Sequence, residues 1–272
     1  MNAIIIKILL TTSRYLNYFC SGVNRKIVIL LSLMLSFASY ANIAIIIDDV
    51  GYRASDAKLL NLPAEITLSV LPHTPHGKKI AERAFARGQE VMLHLPMESI
   101  AGQVLEPGTI NATMNKSQIL QALDLALSEL PQATGVNNHM GSKLTQMQKP
   151  MQVIMQALKQ RKLFFVDSRT SGQSVAFSVA KEYGVTAYRR HVFLDNQANK
   201  GDILKQLNKM LKLAEKKQTV IAIGHPHPET IAALDEFFKQ HSAQSITLTK
   251  VSSLMAIDNR LAALNSNVHR AD

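Results

Sequence analysis

Short apolar runs rich in β-branched residues alternate along this chain with segments of helical periodicity. The first run, Ile43–Ile47, is apolar at every position, as in strands that are covered on both faces of a parallel sheet. Lys116–Leu130 instead carries Ile and Leu at spacings of three and four, follows the capping pair Asn115 and Gln118, and stops before Pro131. Repeated β-α units of this kind predict one α/β domain, either a (β/α) barrel or an open sheet.

The same patterns predict the order of the elements. Strands are expected at Ile43–Ile47, Ile66–Val70, Val91–His94, a segment ending near Asn137, Leu163–Val166, Val185–Tyr188, Val220–Ile223 and Ile246–Leu248. Further helices are expected at Ala81–Arg87, Met151–Gln160, Ile203–Glu215 and Thr230–Gln240. The longest irregular stretch, Pro96–Asn115, contains Pro107 and Gly108, and at that length we expect a loop over a site.

Residues 1–41 have the three parts of a secretory signal peptide. Arg25 and Lys26 precede an apolar run from Ile27 to Ala38, and small residues stand at the −3 and −1 positions of a cut after Ala41. The run is shorter than the roughly 20 apolar residues that span a bilayer, which favours cleavage over an uncleaved membrane anchor, the alternative. The sequence therefore predicts an exported, periplasmic protein whose domain covers residues 42–272.

Export affects the interpretation of the cysteine and of the charge. The one cysteine, Cys20, lies in the leader, so we expect no disulfide-linked partner. Removal of the leader's four basic residues lowers the net charge from +10 to +6. Because the excess is spread along the chain, it indicates solvated helix faces and no nucleic-acid partner, while an anionic envelope polymer stays compatible with it. The sequence leaves the oligomeric state open.

A potential ligand or acid–base residue stands at the end of most predicted strands. These residues are Asp48 and Asp49, His94, Asn137-Asn138-His139, Asp167, His191 and Asp195, and His225 and His227. The carboxyl ends of parallel strands converge on one face, where active sites are built, so we expect several of these side chains to share a site. Helix capping by the aspartates and core packing of His94 are the alternatives for each residue taken alone. Together, one Asp and two His suit Zn²⁺ or another divalent ion with an open position.

At these positions the chain resembles the divergent polysaccharide deacetylases, distant relatives of the NodB-type carbohydrate esterases. The matching segments, which follow in order through nearly all of the chain after the leader, are Ile46–Tyr52, Gly88–Met97, Gly135–Ser142, Phe165–Ser168 and Ile223–Pro228. The resemblance implies a distorted (β/α) barrel of the NodB-like glycoside hydrolase/deacetylase type, with its site at the carboxyl ends of the strands.

The resemblance also implies roles for individual residues. Asp48 matches the general base, Asp49 a metal ligand, His94 the first histidine of the metal motif His-x-x-x-His, and His225 the late catalytic histidine. The chain departs from the family pattern four residues after His94, where Glu98 stands in place of the second histidine.

The third metal ligand is therefore either Glu98 or His139. We prefer His139, because its amide-rich surroundings can orient an imidazole. Asn138, Asp167 and Glu98 are expected to bind substrate or to orient other groups, with Asp167 holding a histidine. The Arg-x-Pro-Tyr segment of the NodB-type enzymes is not recognisable, and Arg169 is the candidate to replace its arginine.

The reaction that this resemblance implies is removal of an acetyl group from an envelope polysaccharide or a peptidoglycan sugar. A divalent metal, zinc by preference, would activate the attacking water. The alternative is a catalytically inactive periplasmic carbohydrate-binding or scaffold protein that retains the barrel, which the two departures favour. Clustered buried carboxylates and imidazoles favour the hydrolase, because a scaffold has little use for them. A phosphoester hydrolase ranks last, since no Gly-rich phosphate loop is present.

Overall fold

The computed structural model describes residues 42–102, 104–217, 219–241 and 247–254. The predicted signal peptide, residues 1–41, lies outside the described residues, as do Ile246 of the last predicted strand and the end of the predicted domain, residues 255–272. Leader cleavage and the two domain limits therefore stay predictions.

Within the described residues the elements alternate as the sequence indicates. The strands are β1 (Asn42–Val50), β2 (Thr67–Val70), β3 (Val91–Met97), β4 (Gly135–Met140), β5 (Phe164–Asp167), β6 (Ala187–Arg189), β7 (Val192–Phe193), β8 (Thr219–Gly224) and β9 (Thr247–Leu248). The α-helices are α1 (Gly77–Ala86), α2 (Lys116–Glu129), α3 (Gln148–Gln160), α4 (Ala176–Glu182), α5 (Lys200–Ala214) and α6 (Pro228–Gln240), and 3₁₀-helices cover Ala54–Asn61 and Leu144–Gln146. The predictions lacked β7 and α4, because two and seven residues are too short to show a period.

All paired strands run parallel, in the order β6-β5-β4-β3-β2-β1-β8-β7, and β9 pairs with the start of β1. The two edge strands, β6 and β7, are consecutive in the chain and are joined by Arg190 and His191. The backbone N–H of His191 donates to the carbonyl of Ile221 on β8 at 2.8 Å, which ties this connection to the far edge. The sheet is therefore curled into a half-barrel, which confirms the barrel and excludes the open sheet.

Strand alternation divides the buried side chains into two cores. Ile43, Ile45 and Ile47 of β1 belong to the large cluster that the sheet forms with its surrounding helices. Ala44 and Ile46 belong to a second cluster inside the curl. This interior core is completed by residues of other strands and of a last helical turn at residues 251–254. These residues are Met92, Phe164, Val166, Tyr188, Ile221, Ile223, Val251 and Leu254. The side chains that can form the site are therefore those that continue this interior face beyond the end of each strand.

The opposite end of the barrel carries a buried carboxylate. Glu90 accepts hydrogen bonds from Thr67 Oγ1 at 2.9 Å, from Thr134 Oγ1 at 3.1 Å and from the backbone N–H of Ser252 at 3.2 Å. It thus joins the helical turn at residues 251–254 to the amino ends of two strands.

No helix of the described residues is long and apolar enough for a bilayer crossing.

Candidate active site

Five side chains of the candidate site continue the interior face of the barrel. Asp48 lies two residues beyond Ile46, and His94 two beyond Met92, so period-two alternation points each of them inward. His225 has the same relation to Ile223, and Asn137 precedes His139 by two on β4. Asp48 and His94 are each only 2% exposed, so the floor of the site is formed by buried polar groups.

Asp49 reaches the same site by breaking the alternation. Its neighbour Asp48 faces inward, so a regular strand would point Asp49 toward the helices. The residue instead has φ of 56°, and the pairing of β1 with β2 shifts register between Ile47 and Val50. Left-handed backbone at a non-glycine residue costs roughly 1–3 kcal/mol and persists only where its surroundings hold it. Met140 (φ 51°), at the end of β4, and Arg169 (φ 50°), beyond β5, have the same conformation, so three of the five described non-glycine residues with positive φ lie at the site.

Three potential metal-ligand atoms meet there. Asp49 Oδ1 lies 2.8 Å from His139 Nδ1 and 3.0 Å from His94 Nε2, and the two nitrogens are 3.1 Å apart. Metal bonds of about 2.0–2.2 Å to histidine nitrogen and carboxylate oxygen place neighbouring ligand atoms roughly 3 Å apart. One carboxylate and two imidazoles therefore match a divalent ion in both chemistry and spacing.

Asn137 orients two of the central side chains. Its Nδ2 donates to Asp48 Oδ1 at 2.7 Å, so its Oδ1 is the acceptor that faces His94 Nδ1, also at 2.7 Å. Ser69 Oγ donates to the same Oδ1 at 2.5 Å. The His94 proton is thereby fixed on Nδ1, which leaves Nε2 as the atom that can bind a metal.

The two adjacent aspartates have opposite electrostatic environments. Burial raises the pKa of Asp48 above its usual range, although His94, His225 and the Asn137 hydrogen bond act against it. Burial would also raise the pKa of Asp49, but the neighbouring imidazoles of His139 and His94 outweigh it and hold the pKa far below the usual range. Asp49 is thus the permanent anion that a cation needs, and Asp48 the carboxylate with the greater affinity for a proton.

A third carboxylate, Asp195, holds His225. Its Oδ1 lies 2.9 Å from His225 Nδ1, while Oδ2 accepts from the His225 backbone N–H at 2.5 Å and from Thr230 Oγ1 at 2.8 Å. Burial lowers the pKa of His225, but the Asp195 hydrogen bond and charge raise it to about 9. His225 Nε2 is directed toward the site and lies 3.8 Å from Asp49 Oδ2.

The three residues expected to bind substrate or orient other groups have different surroundings. Asp167 accepts from the Arg169 N–H at 2.9 Å and from Ser174 Oγ at 2.9 Å, and so braces the loop after β5; the carboxylate that holds His225 is Asp195. Because Val166 faces the interior, its neighbour Asp167 points toward the helices.

Asn138 and Glu98 also contact loops. Asn138 accepts from the Ser168 N–H at 2.9 Å and donates to the Met140 carbonyl at 2.7 Å, although it also lines the cavity described below. Glu98 accepts from the Ala112 N–H at 2.6 Å and from Lys143 Nζ at 2.7 Å. The atoms that meet Asp49 and His94 belong to His139 and not to Glu98.

Two cavities open at the site. The larger one, of about 460 Å³, is large enough for a sugar unit and has the predicted catalytic and metal-ligating residues in its wall. It is lined by Asp48, Asp49, His94, Asn138, His139, Met140, Ser168, Arg169, Thr170, Arg190, Phe193, Asn196, Ile223 and His225. The smaller cavity, of about 140 Å³, lies between Tyr52, Arg53, Asp56 and His227 and shares Asp49 and His225 with the larger one.

Sequence reasoning did not assign roles to four residues of this site: Ser69, Asn137, Arg190 and Asp195. Asn137 and Asp195 stand at predicted strand ends, and alternation from the interior core identifies Asn137 in place of Asn138. Arg190 donates from Nε to the Ser168 carbonyl at 2.6 Å and from Nη2 to the Arg169 carbonyl at 3.0 Å. Its position between two short strands gave no sequence signal.

Comparisons with known proteins agree on a family. A sequence model of the divergent polysaccharide deacetylases matches residues 45–255. The chain is 41% identical over 214 residues to an uncharacterized protein of Escherichia coli (strain K12), YibQ, covering 78% of this chain and 67% of that one. It is 38% identical over 216 residues to an uncharacterized protein of Haemophilus influenzae (strain KW20), covering 79% and 77%. The crystal structure of the uncharacterized protein ATU2773 from Agrobacterium tumefaciens C58 has a TM-score of 0.76 at 24% identity, over 80% of this chain and 91% of that one, and supports the fold alone.

Proposed function

This chain belongs to the divergent polysaccharide deacetylase family, and we propose that it is a metal-dependent hydrolase that removes acetyl groups from an envelope polysaccharide or a peptidoglycan sugar. The observation that carries the proposal is the convergence of Asp49, His94 and His139 within 3.1 Å of one another in a cavity that also contains Asp48 and His225. A structural ion pair needs one histidine; two imidazoles on one carboxylate oxygen are a donor set for zinc.

We assign Asp49 Oδ1, His94 Nε2 and His139 Nδ1 as the ligands. When bound there, a divalent ion supplies positive charge that lowers the pKa of water and polarises an acyl carbonyl. Because Asn137 fixes the proton on Nδ1, His94 would offer the lone pair of Nε2 to such an ion. Three protein ligands leave a position open, as in catalytic zinc sites.

Asp48 acts as general base. A water oxygen forms a bond to the acetyl carbon while its proton passes to the Asp48 carboxylate. The raised pKa of Asp48 makes this carboxylate a better proton acceptor than Asp49. Asn137 Nδ2, bound to Asp48 Oδ1, keeps the carboxylate in place throughout.

His225 acts as general acid. As the bond from the acetyl carbon to the sugar nitrogen or oxygen breaks, the imidazolium of His225 gives its Nε2 proton to the leaving atom. Asp195 fixes the other ring nitrogen and stabilises the imidazolium, as the raised pKa of about 9 indicates. Acetate and a free amine or hydroxyl are the products, and Asp48 returns its proton to solvent.

The rival function is an inactive carbohydrate-binding scaffold. It is favoured by Glu98, which stands where the metal motif of the family has its second histidine. His139 supports the hydrolase against it, because its Nδ1 supplies the third donor within 2.8 Å of Asp49. Zinc, the acetylated glycan and the catalytic roles above are parts of this proposal.

Metal content and acetate release on the same samples test the proposal. We expect about one equivalent of zinc in the purified protein, and acetate release from chitooligosaccharides or peptidoglycan. Asp49→Asn and His139→Gln should lose the metal, whereas Glu98→Gln, a charge change in the neighbouring loop, should keep it. A folded wild-type protein that binds no divalent metal would refute the hydrolase and favour the scaffold.

We also propose that residues 1–41 direct export to the periplasm and are removed. The supporting feature is the basic, apolar and small-residue order of Arg25–Ala41. Amino-terminal sequencing of protein from the periplasmic fraction should begin at Asn42. An intact leader on membrane-bound protein would replace this proposal with an uncleaved anchor.

A further inference from the structure

Two arginines, Arg169 and Arg190, line the larger cavity without an ion-pair partner. Among the described residues, ten pairs of basic and acidic side chains lie within 4.0 Å, and none of them includes Arg169 or Arg190. Arg169 is exposed and Arg190 is half-buried, and two guanidinium groups that line one cavity repel each other. Their repulsion favours a ligand of opposite charge.

Arg190 is held in place before any ligand arrives. Two of its five N–H donors bind the carbonyls of Ser168 and Arg169, and its guanidinium lies 4.8 Å from the ring centre of Phe193. Within the described part of the chain no further hydrogen bond engages its guanidinium, which lines the cavity. Little conformational entropy is therefore lost when Arg190 binds a ligand.

Arg169 is held through its backbone. Its N–H donates to Asp167 Oδ1 at 2.9 Å, its carbonyl accepts from Arg190, and its φ is 50°. Ser174 Oγ, bound to the other oxygen of Asp167, secures that carboxylate. The loop after β5 is thus braced in a strained conformation that brings the Arg169 side chain to the wall of the cavity.

We propose that Arg169 and Arg190 form an anion subsite, and that the substrate is an acidic glycan with a carboxylate or phosphate close to the acetyl group. This inference rests on the proposed function, since it names the substrate class of the same site. Guanidinium groups bind both anions through paired N–H donors, and Ser168 and Thr170 add hydroxyl groups to the same wall.

Charge elsewhere agrees with this assignment. Burial lowers the pKa of Arg190, the charge of Asp48 raises it, repulsion by Arg169 lowers it, and the charge of Asp167 raises it. A bound anion relieves that repulsion. The excess of Lys and Arg over Asp and Glu, +6 after removal of the leader, attracts an acidic polymer at longer range.

Equilibrium binding in EDTA tests the subsite separately from catalysis, because EDTA suppresses any metal-dependent turnover. Three tetrasaccharides serve as probes: neutral N-acetylglucosamine, an alternating N-acetylglucosamine and N-acetylmuramic acid strand with free carboxylates, and N-acetylglucosamine phosphorylated at O6. We expect at least one acidic probe to bind about tenfold more tightly than the neutral one, and the difference to disappear in about 1 M salt. The acidic probe that binds more tightly identifies the anion.

Arg169→Gln and Arg190→Gln should each reduce that preference several-fold, whereas Arg83→Gln, the same charge change on the exposed face of α1, should not. Thermal unfolding of each variant establishes that it is folded, and Arg169→Gln removes no side-chain hydrogen bond to any residue that the structure describes. Equal affinity for the three probes, or a preference that survives in both variants, overturns the subsite. A protein that prefers an acidic probe but releases no acetate would keep the subsite and reject the hydrolase.

Discussion

Replacement of Asn137 by Ala tests the central feature of the site, the amide that joins the base to a metal ligand. The substitution removes hydrogen bonds with Asp48 Oδ1 and His94 Nδ1, each 2.7 Å long, with Ser69 Oγ at 2.5 Å and with Ser168 Oγ at 3.3 Å. Neutral hydrogen bonds contribute about 1 kcal/mol each, and those to charged groups about 1.5–3 kcal/mol, so we expect a loss of about 4–6 kcal/mol. His94 would also lose the acceptor that fixes its tautomer, which weakens metal affinity by roughly 10–100-fold.

Two measurements separate these effects. Urea unfolding in EDTA gives the free energy of unfolding without metal, and competition with a chelator gives the zinc affinity. Asn138→Ala is the matched control, because Asn138 is on the same strand, equally buried, and bonded to the Ser168 N–H and the Met140 carbonyl. We expect it to destabilise the protein by about 2–3 kcal/mol and to change zinc affinity by less than about threefold.

If Asn137→Ala kept the zinc affinity of the wild type while Asn138→Ala lost its zinc affinity, the assignment of Asn137 to the site would be refuted. That result would mean that the interior face of β4 is opposite to the one deduced from strand alternation. Loss of stability alone, with zinc affinity unchanged in both variants, would refute the role of Asn137 in orienting His94.

Three further predictions concern other parts of the structure. Asp195→Asn removes the charge that holds the imidazolium of His225, so acetate release should fall at least about 100-fold while the metal content is unchanged. Burial, followed by the charges of nearby basic residues, lowers the pKa of His191 below 6.5; the unfolded chain therefore binds a proton that the native state does not, and the urea midpoint should fall as the pH falls below 6.5. Gly135→Ala should destabilise the fold by about 1–3 kcal/mol, measured by urea unfolding, because its Cβ would lie within 2.3–2.5 Å of the Phe164 ring.

Each of these predictions has its own control. Thr230→Val removes one hydrogen bond to Asp195 but keeps the charge of Asp195. A loss of acetate release equal to that of Asp195→Asn would therefore argue against stabilisation of the His225 imidazolium by that charge. Between pH 7.5 and 5.5 the urea midpoint of His191→Gln should fall less than that of the wild type. An equal fall in both proteins would assign the pH dependence to other groups. Gly172→Ala, where the Cβ meets nothing within 4 Å, should be neutral, and an equal loss there would exclude the Phe164 contact as the cause.

The sequence predicted most of the architecture because long parallel strands carry a strong signal. Ile43–Ile47 is apolar on both faces since the helices cover one face and the interior core the other. The helix at Lys116–Glu129 was predicted to within one residue, because Asn115 and Gln118 form the capping pair that begins it. The two-residue strand β7 has no such signal, because its pairing with β8, and not its own composition, holds it in the sheet.

By itself, the sequence determined the order of strands and helices, the family, and the residue types at the strand ends. Only the tertiary structure decided which of two neighbouring residues faces the site. Alternation assigns Asn137 to the site and Asp167 to the helices, but the left-handed backbone at Asp49 reverses the rule for one residue, and such a conformation depends on contacts made after folding. The pairing of β7 with β8 likewise brings Asp195 to His225, because hydrogen bonds between strands, and not distance along the chain, determine which strand ends are neighbours.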